Sequence, residues 1–196
     1  MKPKSQPAVE ICILAGGLSQ RMGRDKSRLK IGRRTMLCQI RATAKKLGLP
    51  VRVIRRDAVR RCGPLGGIYT ALKGTKAEAV MFLACDMPFV TEKLLRTLWK
   101  NFRQLDKALF VYSADGAGFS FILRTEALTT VIAQIEQHQF SLQQLAQQLK
   151  AKKFNPPLPD RTQLRNINTP AELAEAQTGA RNLFRKSVER LQKHAE

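Results

Sequence analysis

The feature that most constrains the fold of this sequence is a regular alternation of short apolar runs with segments of helical periodicity. Five apolar runs are present: VEICIL at 9–14, VRVI at 51–54, AVMFLAC at 79–85, ALFVY at 108–112 and GFSFIL at 118–123. Continuous apolar runs of this length are typical of strands that are buried on both faces of a sheet. Because parallel strands need long and usually helical connections, the alternation predicts an α/β fold with a mostly parallel sheet covered by helices on both faces.

Two of the intervening segments place apolar residues on one face of a helix. These faces consist of Met36, Leu37, Ile40, Ala44 and Leu47 in the first segment and of Leu94, Leu95, Leu98 and Phe102 in the second. Thr91 precedes the second face as the predicted N-cap, because its hydroxyl can accept a hydrogen bond from a backbone N–H at the helix start. Both helices are expected to pack on the sheet.

The last third of the chain is predicted to be more helical. One helix is expected over 125–136, and a second begins after Ser141 as N-cap and covers SLQQLAQQLKAKKF at 141–154. A basic helix is expected over about 180–196 at the C-terminus.

The segment NINTPAEL at 166–173 contains a helix start signal. Thr169 is a predicted N-cap, Pro170 is favourable as the first helical residue, and Glu172 follows the cap by three positions. This spacing is that of a capping box, in which each of the two side chains bonds to the backbone N–H of the other residue.

Length and composition predict one domain over residues 1–196, because a chain with 43% hydrophobic residues can bury one sizeable core. The 35 Lys and Arg residues exceed the 15 Asp and Glu residues, which gives a formal net charge of +20. Such a charge attracts polyanions and phosphorylated small molecules alike, and it makes acidic proteins candidate partners. Specific nucleic-acid binding is not expected, because no known motif is present and aromatic residues make up only 6% of the chain.

Cysteine and histidine content argues against a zinc site. No two of the four cysteines form a CxxC pair, and only His138 and His194 could add imidazole ligands. We expect reduced, mostly buried thiols. No apolar run approaches the roughly 20 residues of a membrane helix, so the protein is expected to be cytoplasmic.

The first apolar run ends abruptly at Gly16 and Gly17, and basic residues including Arg21 and Lys26 follow closely. Ligands of open parallel sheets bind at the carboxyl ends of the strands. Glycines there let backbone N–H groups approach a nucleotide, and cations downstream can meet its phosphates. The string is neither a Walker A loop nor GxGxxG, and taken alone it also fits an ordinary turn.

Four stretches in order resemble the molybdenum cofactor guanylyltransferase family of nucleotidyltransferases. They are LAGGLSQRMGRDK at 14–26, DAVRRCGPLGGI at 57–68, LACDMPFV at 83–90 and NINTPAEL at 166–173. The resemblance implies a three-layer α/β/α, Rossmann-like nucleotidyltransferase fold. It also implies transfer of GMP from GTP to the terminal phosphate of molybdopterin, with release of pyrophosphate and dependence on Mg²⁺.

The resemblance also assigns roles to single residues. It implies that Lys26 and Arg21 act on the GTP phosphates and that Asn168 contacts the metal or the acceptor. It implies that the nucleoside is lined by the backbone of four residues: Leu14, Ala15, Gly16 and Gly17. It also implies that Gly66 and Gly67 let the following helix begin close to the ligand. Asn168 can equally be a polar turn residue ahead of the capped helix.

Two carboxylates are candidate site residues on chemical grounds as well. Asp86 directly follows a buried run, and its hard oxygen atoms suit Mg²⁺ that bridges phosphates; the alternative is a cap of the turn before Pro88. The Asp57 carboxylate can accept two hydrogen bonds from N1–H and the amino group of guanine, a paired donor edge that cytosine lacks. Asp57 can instead be a surface salt-bridge partner of a neighbouring arginine: Arg55, Arg56 or Arg60.

Two further functional hypotheses remain open at this point. One is a related nucleotidyltransferase that uses CTP or another phosphorylated acceptor. The other is a non-catalytic relative whose basic surface binds an acidic partner.

Overall fold

The computed structural model of the chain describes residues 7–16, 26–59, 61–113, 116–157 and 162–179. The strands are β1 (Val9–Leu14), β2 (Lys30–Ile31), β3 (Arg34–Thr35), β4 (Val51–Ile54), β5 (Ala79–Ala84), β6 (Ala108–Ser113), β7 (Gly116–Arg124) and β8 (Lys152–Phe154). The helices are α1 (Met36–Lys45), α2 (Pro64–Lys73), α3 (Glu92–Asn101), α4 (Leu128–Glu136) and α5 (Leu142–Gln148), and residues 170–179 are helical too.

Six strands form one sheet in the order β4-β1-β5-β7-β6-β8. β1 pairs in parallel with β4 and β5, and β8 pairs in parallel with β6. β7 is antiparallel to both of its neighbours, β5 and β6. The predicted α/β class with a mostly parallel sheet is therefore confirmed, and each of the five apolar runs forms a strand.

The sheet is buried on both faces at its centre, where β5 is apolar throughout and all six of its residues are buried. The apolar faces of α1 and α3 pack on one side of the sheet together with Ile11, Ile13 and Met81. Side chains of α2, α4 and α5 cover the other side, where Val80 and Phe82 point. This arrangement gives the three layers that the sequence predicts.

The prediction of one helix over 141–154 is wrong in its second half. Ser141 caps α5 as expected, but the helix ends at Gln148, and Lys150 has a left-handed φ of 49°. The chain then forms β8, which pairs with the edge of β6 opposite to β7. Backbone pairing with an available strand outweighs the helical preference of these lysines. The segment predicted over 125–136 is helical, with a 3₁₀ turn at Thr125–Ala127 before α4.

A small third cluster joins the C-terminal segment to the start of α1. Ile31, Met36, Ile167 and Ala176 pack together, and the side-chain amide of Gln177 donates to the Lys30 carbonyl at 2.8 Å. The hairpin β2–β3 and the segment around 167 are thereby held against each other. The basic helix predicted over about 180–196 lies outside the described residues, and one domain over 1–196 stays a prediction.

Three of the four cysteines are buried and all four are free thiols, as expected. Within the described ranges, no helix combines the length and apolar character that crossing a bilayer requires.

Candidate nucleotide-binding and catalytic site

The carboxyl ends of β4, β1 and β5 meet at one edge of the sheet, and backbone hydrogen bonds join the segments that follow. The Ala15 N–H donates to the Ile54 carbonyl at 2.8 Å, and the Cys85 N–H donates to the Leu14 carbonyl at 3.1 Å. This is the edge at which ligands of open parallel sheets bind. The sequence motifs that follow the three strands therefore begin side by side.

Lys26 contacts both Asp86 and Asn168 at this edge. Its Nζ lies 3.4 Å from Oδ2 of Asp86 and donates a hydrogen bond of 2.6 Å to Oδ1 of Asn168. The side chains of Lys26 and Asp86 are each 19% exposed, so water shields their charges only partly. We refer to these three residues, which come from three separate motifs, as the phosphate cluster.

Asp86 is held in a water-poor position. Burial raises the pKa of its carboxyl above the ordinary 3.8, and the Lys26 ammonium opposes this shift only in part. An ionised carboxylate in such a position is stabilised by an additional cation, because the protein screens the attraction less than bulk water does. The alternative role as a mere turn cap does not account for its contact with Lys26.

Asn168 reaches the phosphate cluster because its backbone is fixed from both sides. The N–H of the preceding Ile167 donates to the Asp86 carbonyl at 2.9 Å, and the Ile167 side chain is fully buried. After Asn168 the capping box forms as predicted: the Glu172 N–H donates to the Thr169 hydroxyl at 3.2 Å, and the Thr169 N–H donates to Oε2 of Glu172 at 2.9 Å.

Asp57 lies between the end of β1 and the start of α2, with three glycines around it. A Cβ atom added to Gly16 or Gly66 would lie 3.1 Å from a carboxylate oxygen of Asp57, and one added to Gly67 would lie 3.3 Å away. Within the described residues no cation pairs with this carboxylate, and burial raises its pKa. Arg55 and Arg56 are exposed and form no salt bridge with it, and Arg60 lies outside the described residues.

The loop after Asp57 approaches α2 so closely that Gly66 has no room for a side chain. A Cβ at this position would lie 2.5 Å from the Val59 carbonyl oxygen, well inside van der Waals contact. Thr70, one turn later, fastens the same loop: its hydroxyl accepts from the Ala58 N–H at 2.8 Å and donates to the Gly66 carbonyl at 2.7 Å.

Several residues assigned from sequence are not placed by the structure. Gly17 and Arg21 lie outside the described residues, so their roles stay predictions. Leu14 and Ala15 are at the edge as expected, with the Leu14 side chain beside Gly67. Sequence reasoning missed Thr70, because a threonine inside a helix carries no signal of its bond to a loop twelve residues earlier.

The phosphate cluster supplies oxygen ligands of the kind that Mg²⁺ prefers. Among the described residues there is no group of three or more His, Cys, Asp or Glu side chains, so a site built from protein ligands alone is not found there. Mg²⁺ is commonly held by one or two carboxylates together with substrate phosphates and water. The Asp86 carboxylate and the Asn168 amide oxygen fit that pattern.

Comparison with known families covers three of the four motifs. Residues 11–153 match the MobA-like NTP transferase domain. The chain belongs to this family. The resemblance to molybdenum cofactor guanylyltransferases is thereby confirmed, and the matched region contains Lys26, Asp57 and Asp86 but not Asn168.

Two relatives have names that state a reaction. A protein of Opitutus terrae named "Probable molybdenum cofactor guanylyltransferase" is 30% identical over 183 residues, covering 82% of this chain and 90% of that protein. One of the same name from Pelotomaculum thermopropionicum is 34% identical over 112 residues, covering 50% of this chain and 54% of the relative. The chain thus spans about half the length of the second relative.

A solved structure agrees in fold over most of the chain. The molybdopterin-guanine dinucleotide biosynthesis protein A from Archaeoglobus fulgidus superposes with a TM-score of 0.70 at 18% identity, covering 88% of this chain and 99% of that one. At this identity the comparison establishes the nucleotidyltransferase fold.

Proposed function

We propose that this protein is a molybdenum cofactor guanylyltransferase, which transfers GMP from GTP to molybdopterin with release of pyrophosphate. The observation that carries the proposal is the contact of Lys26 with both Asp86 and Asn168 at the ligand-binding edge of the sheet. These residues come from motifs 60 and 142 positions away from Lys26 along the chain.

The reaction follows from the chemistry of the triphosphate. A terminal phosphate oxygen of molybdopterin attacks the α-phosphorus of GTP, and the bond from that phosphorus to the oxygen bridging to the β-phosphate breaks. Charge grows on the leaving pyrophosphate and on the non-bridging oxygens, so positioned cations lower the barrier. Lys26 supplies one such cation, and Arg21 is proposed to supply a second.

Asp86 and Asn168 are the residues that would hold Mg²⁺ through their oxygen atoms. When bound, the ion supplies positive charge next to the phosphates and helps to orient them. In the ligand-free structure the Lys26 ammonium group contacts these oxygens of Asp86 and Asn168. The oxygens of a bound triphosphate would be alternative acceptors for it. Lys26 is therefore proposed to turn from Asp86 and Asn168 to the phosphates when GTP binds.

Asp57 is proposed to select the base. Its two oxygens can accept from N1–H and the amino group of guanine, a paired donor edge that cytosine and uracil do not present. The carboxylate has no cationic partner among the described residues, and burial raises its pKa. Part of the free-energy cost of removing it from water is therefore incurred on folding and not when guanine binds. Gly16, Gly66 and Gly67 surround it, and a Cβ atom at Gly16 or Gly66 would come within 3.1 Å of its carboxylate oxygens.

A nucleotide panel tests the function. Pyrophosphate release is measured with molybdopterin, Mg²⁺ and each of GTP, CTP, UTP and ATP. The proposal expects release with GTP, and it expects Asp57→Asn to lose discrimination while a matched change of an exposed carboxylate, Glu126→Gln, leaves it intact. Preference for CTP would indicate a cytidylyltransferase instead, and no release with any nucleotide would contradict nucleotidyl transfer.

The setting of the reaction is proposed as well. A cytoplasmic location is proposed because GTP, the proposed substrate, is available there. Segment 26–56 contains many basic residues and no acidic residue. Because such a surface attracts negative charge, acidic proteins stay the predicted protein partners.

A further inference from the structure

Glu172 makes one hydrogen bond more than a helix cap requires. In a capping box the carboxylate accepts from the N–H of the N-cap residue, here Thr169 at 2.9 Å. The same oxygen, Oε2, also accepts from the N–H of Asn168 at 2.7 Å, the shorter of the two bonds. Asn168 is the residue before the cap and does not belong to the helix.

The additional bond acts on the residue whose side chain touches Lys26. The Asn168 amide oxygen accepts from Lys26 Nζ at 2.6 Å, so the position of its backbone decides whether that oxygen reaches the phosphate cluster. Ile167 fixes the backbone on one side through its bond to the Asp86 carbonyl. Glu172 fixes it on the other side.

Other contacts hold the helix that carries Glu172 in place. This helix, residues 170–179, is anchored independently by Ala176 in the third cluster and by the bond from Gln177 to the Lys30 carbonyl. Glu172 therefore connects an anchored helix to Asn168.

We propose that Glu172 is a positioning residue of the catalytic site, which acts through the backbone of Asn168 to hold the amide oxygen at the place where Lys26 and the metal meet the phosphates. This proposal rests on the proposed function. Groups that orient a metal ligand commonly change metal affinity or activity about 10–100-fold when they are removed.

The chain provides closely matched variants. Glu172→Ala removes both bonds from the backbone of Asn168 and Thr169. Thr169→Ala removes only the reciprocal bond from the Glu172 N–H to the Thr169 hydroxyl and leaves the Asn168 bond in place. Both weaken the same helix cap, so a purely structural role of Glu172 would make them alike. Glu172→Gln keeps an amide oxygen that can accept both bonds.

The first measurement is steady-state kinetics with GTP, alongside melting temperatures. Glu172→Ala should lower kcat about 10–100-fold with little change in KM for GTP, while Glu172→Gln and Thr169→Ala stay within about threefold of the wild type. The second is Mn²⁺ titration followed by electron paramagnetic resonance, with a non-hydrolysable GTP analogue bound. Glu172→Ala should weaken Mn²⁺ binding about tenfold and Thr169→Ala should not.

The two proposals fail differently. A wild-type protein that releases no pyrophosphate overturns the function, whereas the Mn²⁺ titration still tests Glu172. Equal effects of Glu172→Ala and Thr169→Ala on both kcat and Mn²⁺ binding overturn the positioning role. If Glu172→Ala does not fold, Glu172→Gln decides: wild-type kcat and Mn²⁺ affinity support the role, and a loss of both together with normal melting contradicts it.

Discussion

Replacing Lys26 by methionine should destabilise the ligand-free protein and, at the same time, open the phosphate cluster to metal. Methionine keeps much of the aliphatic stem and removes the charge. At 3.4 Å and an effective dielectric constant of about 20, the gross attraction between the ammonium and Asp86 is about 5 kcal/mol. Desolvation of both groups cancels a large part of this, so we expect a net loss of about 2–3 kcal/mol in the free energy of unfolding.

The measurement is urea unfolding in EDTA and again with Mg²⁺, for Lys26→Met, Asp86→Asn and the double variant. If the loss comes from an uncompensated Asp86 carboxylate, Asp86→Asn should restore most of the stability in the Lys26→Met background. Mg²⁺ should stabilise Lys26→Met more than the wild type when no nucleotide is present, since the Asp86 and Asn168 oxygens are then unoccupied by the ammonium. Additive effects of the two substitutions, or no response to Mg²⁺, would refute this reasoning.

Three further predictions concern the two carboxylates and the tight loop. Asp57→Asn should raise the stability of the ligand-free protein and weaken GTP binding, because the pKa of Asp57 is raised by burial and its ionised form is a cost to folding at neutral pH; thermal unfolding with and without GTP checks both signs. The folded protein protonates Asp57 at a higher pH than the unfolded chain does. The cost of this group to folding therefore decreases as the pH falls through its raised pKa. The difference in unfolding free energy between the wild type and Asp57→Asn should become smaller over that pH range. Because protons compete with Mg²⁺ for the Asp86 carboxylate, whose pKa burial raises in the metal-free protein, the Mg²⁺ concentration for half-maximal activity should increase on acidification, which Mg²⁺ titrations of the activity at several pH values measure. Gly66→Ala should destabilise the fold by about 1–3 kcal/mol, because its Cβ would lie 2.5 Å from the Val59 carbonyl oxygen. Gly118→Ala serves as the control, because a Cβ at Gly118 would lie in open space. Equal stability of the two variants in urea unfolding would contradict the packing argument.

The architecture could be predicted from the sequence because its signals are local. Each apolar run is long enough to be a buried strand, and Thr91 and Ser141 each accept the expected hydrogen bond at the start of a helix. The exceptions are the short hairpin β2–β3 and Lys152–Phe154, where pairing with β6 decides the conformation. The local sequence cannot show that a strand edge is available.

The residues of the candidate site could be predicted from the sequence, but the contacts between them could not. That Asp57 and Asp86 follow strands places both at one edge, but the bond between Lys26 and Asn168 joins residues 142 positions apart and follows only from the packing of the C-terminal segment. The sequence shows that Asp86 directly follows a buried run, but only the structure shows that its side chain is 19% exposed. The second bond of Glu172 depends on the turn at Asn168, and a capping-box pattern alone does not predict it.

The most direct test of the central claim follows the α-phosphorus of GTP. The protein is incubated with Mg²⁺, molybdopterin and GTP that carries ³²P at the α-position, in parallel with Asp86→Asn. We expect the label to appear in a molybdopterin–guanine dinucleotide with unlabelled pyrophosphate released, and we expect Asp86→Asn to transfer almost none. Label that stays in GTP or is released as free GMP, or equal transfer by Asp86→Asn, would contradict the account.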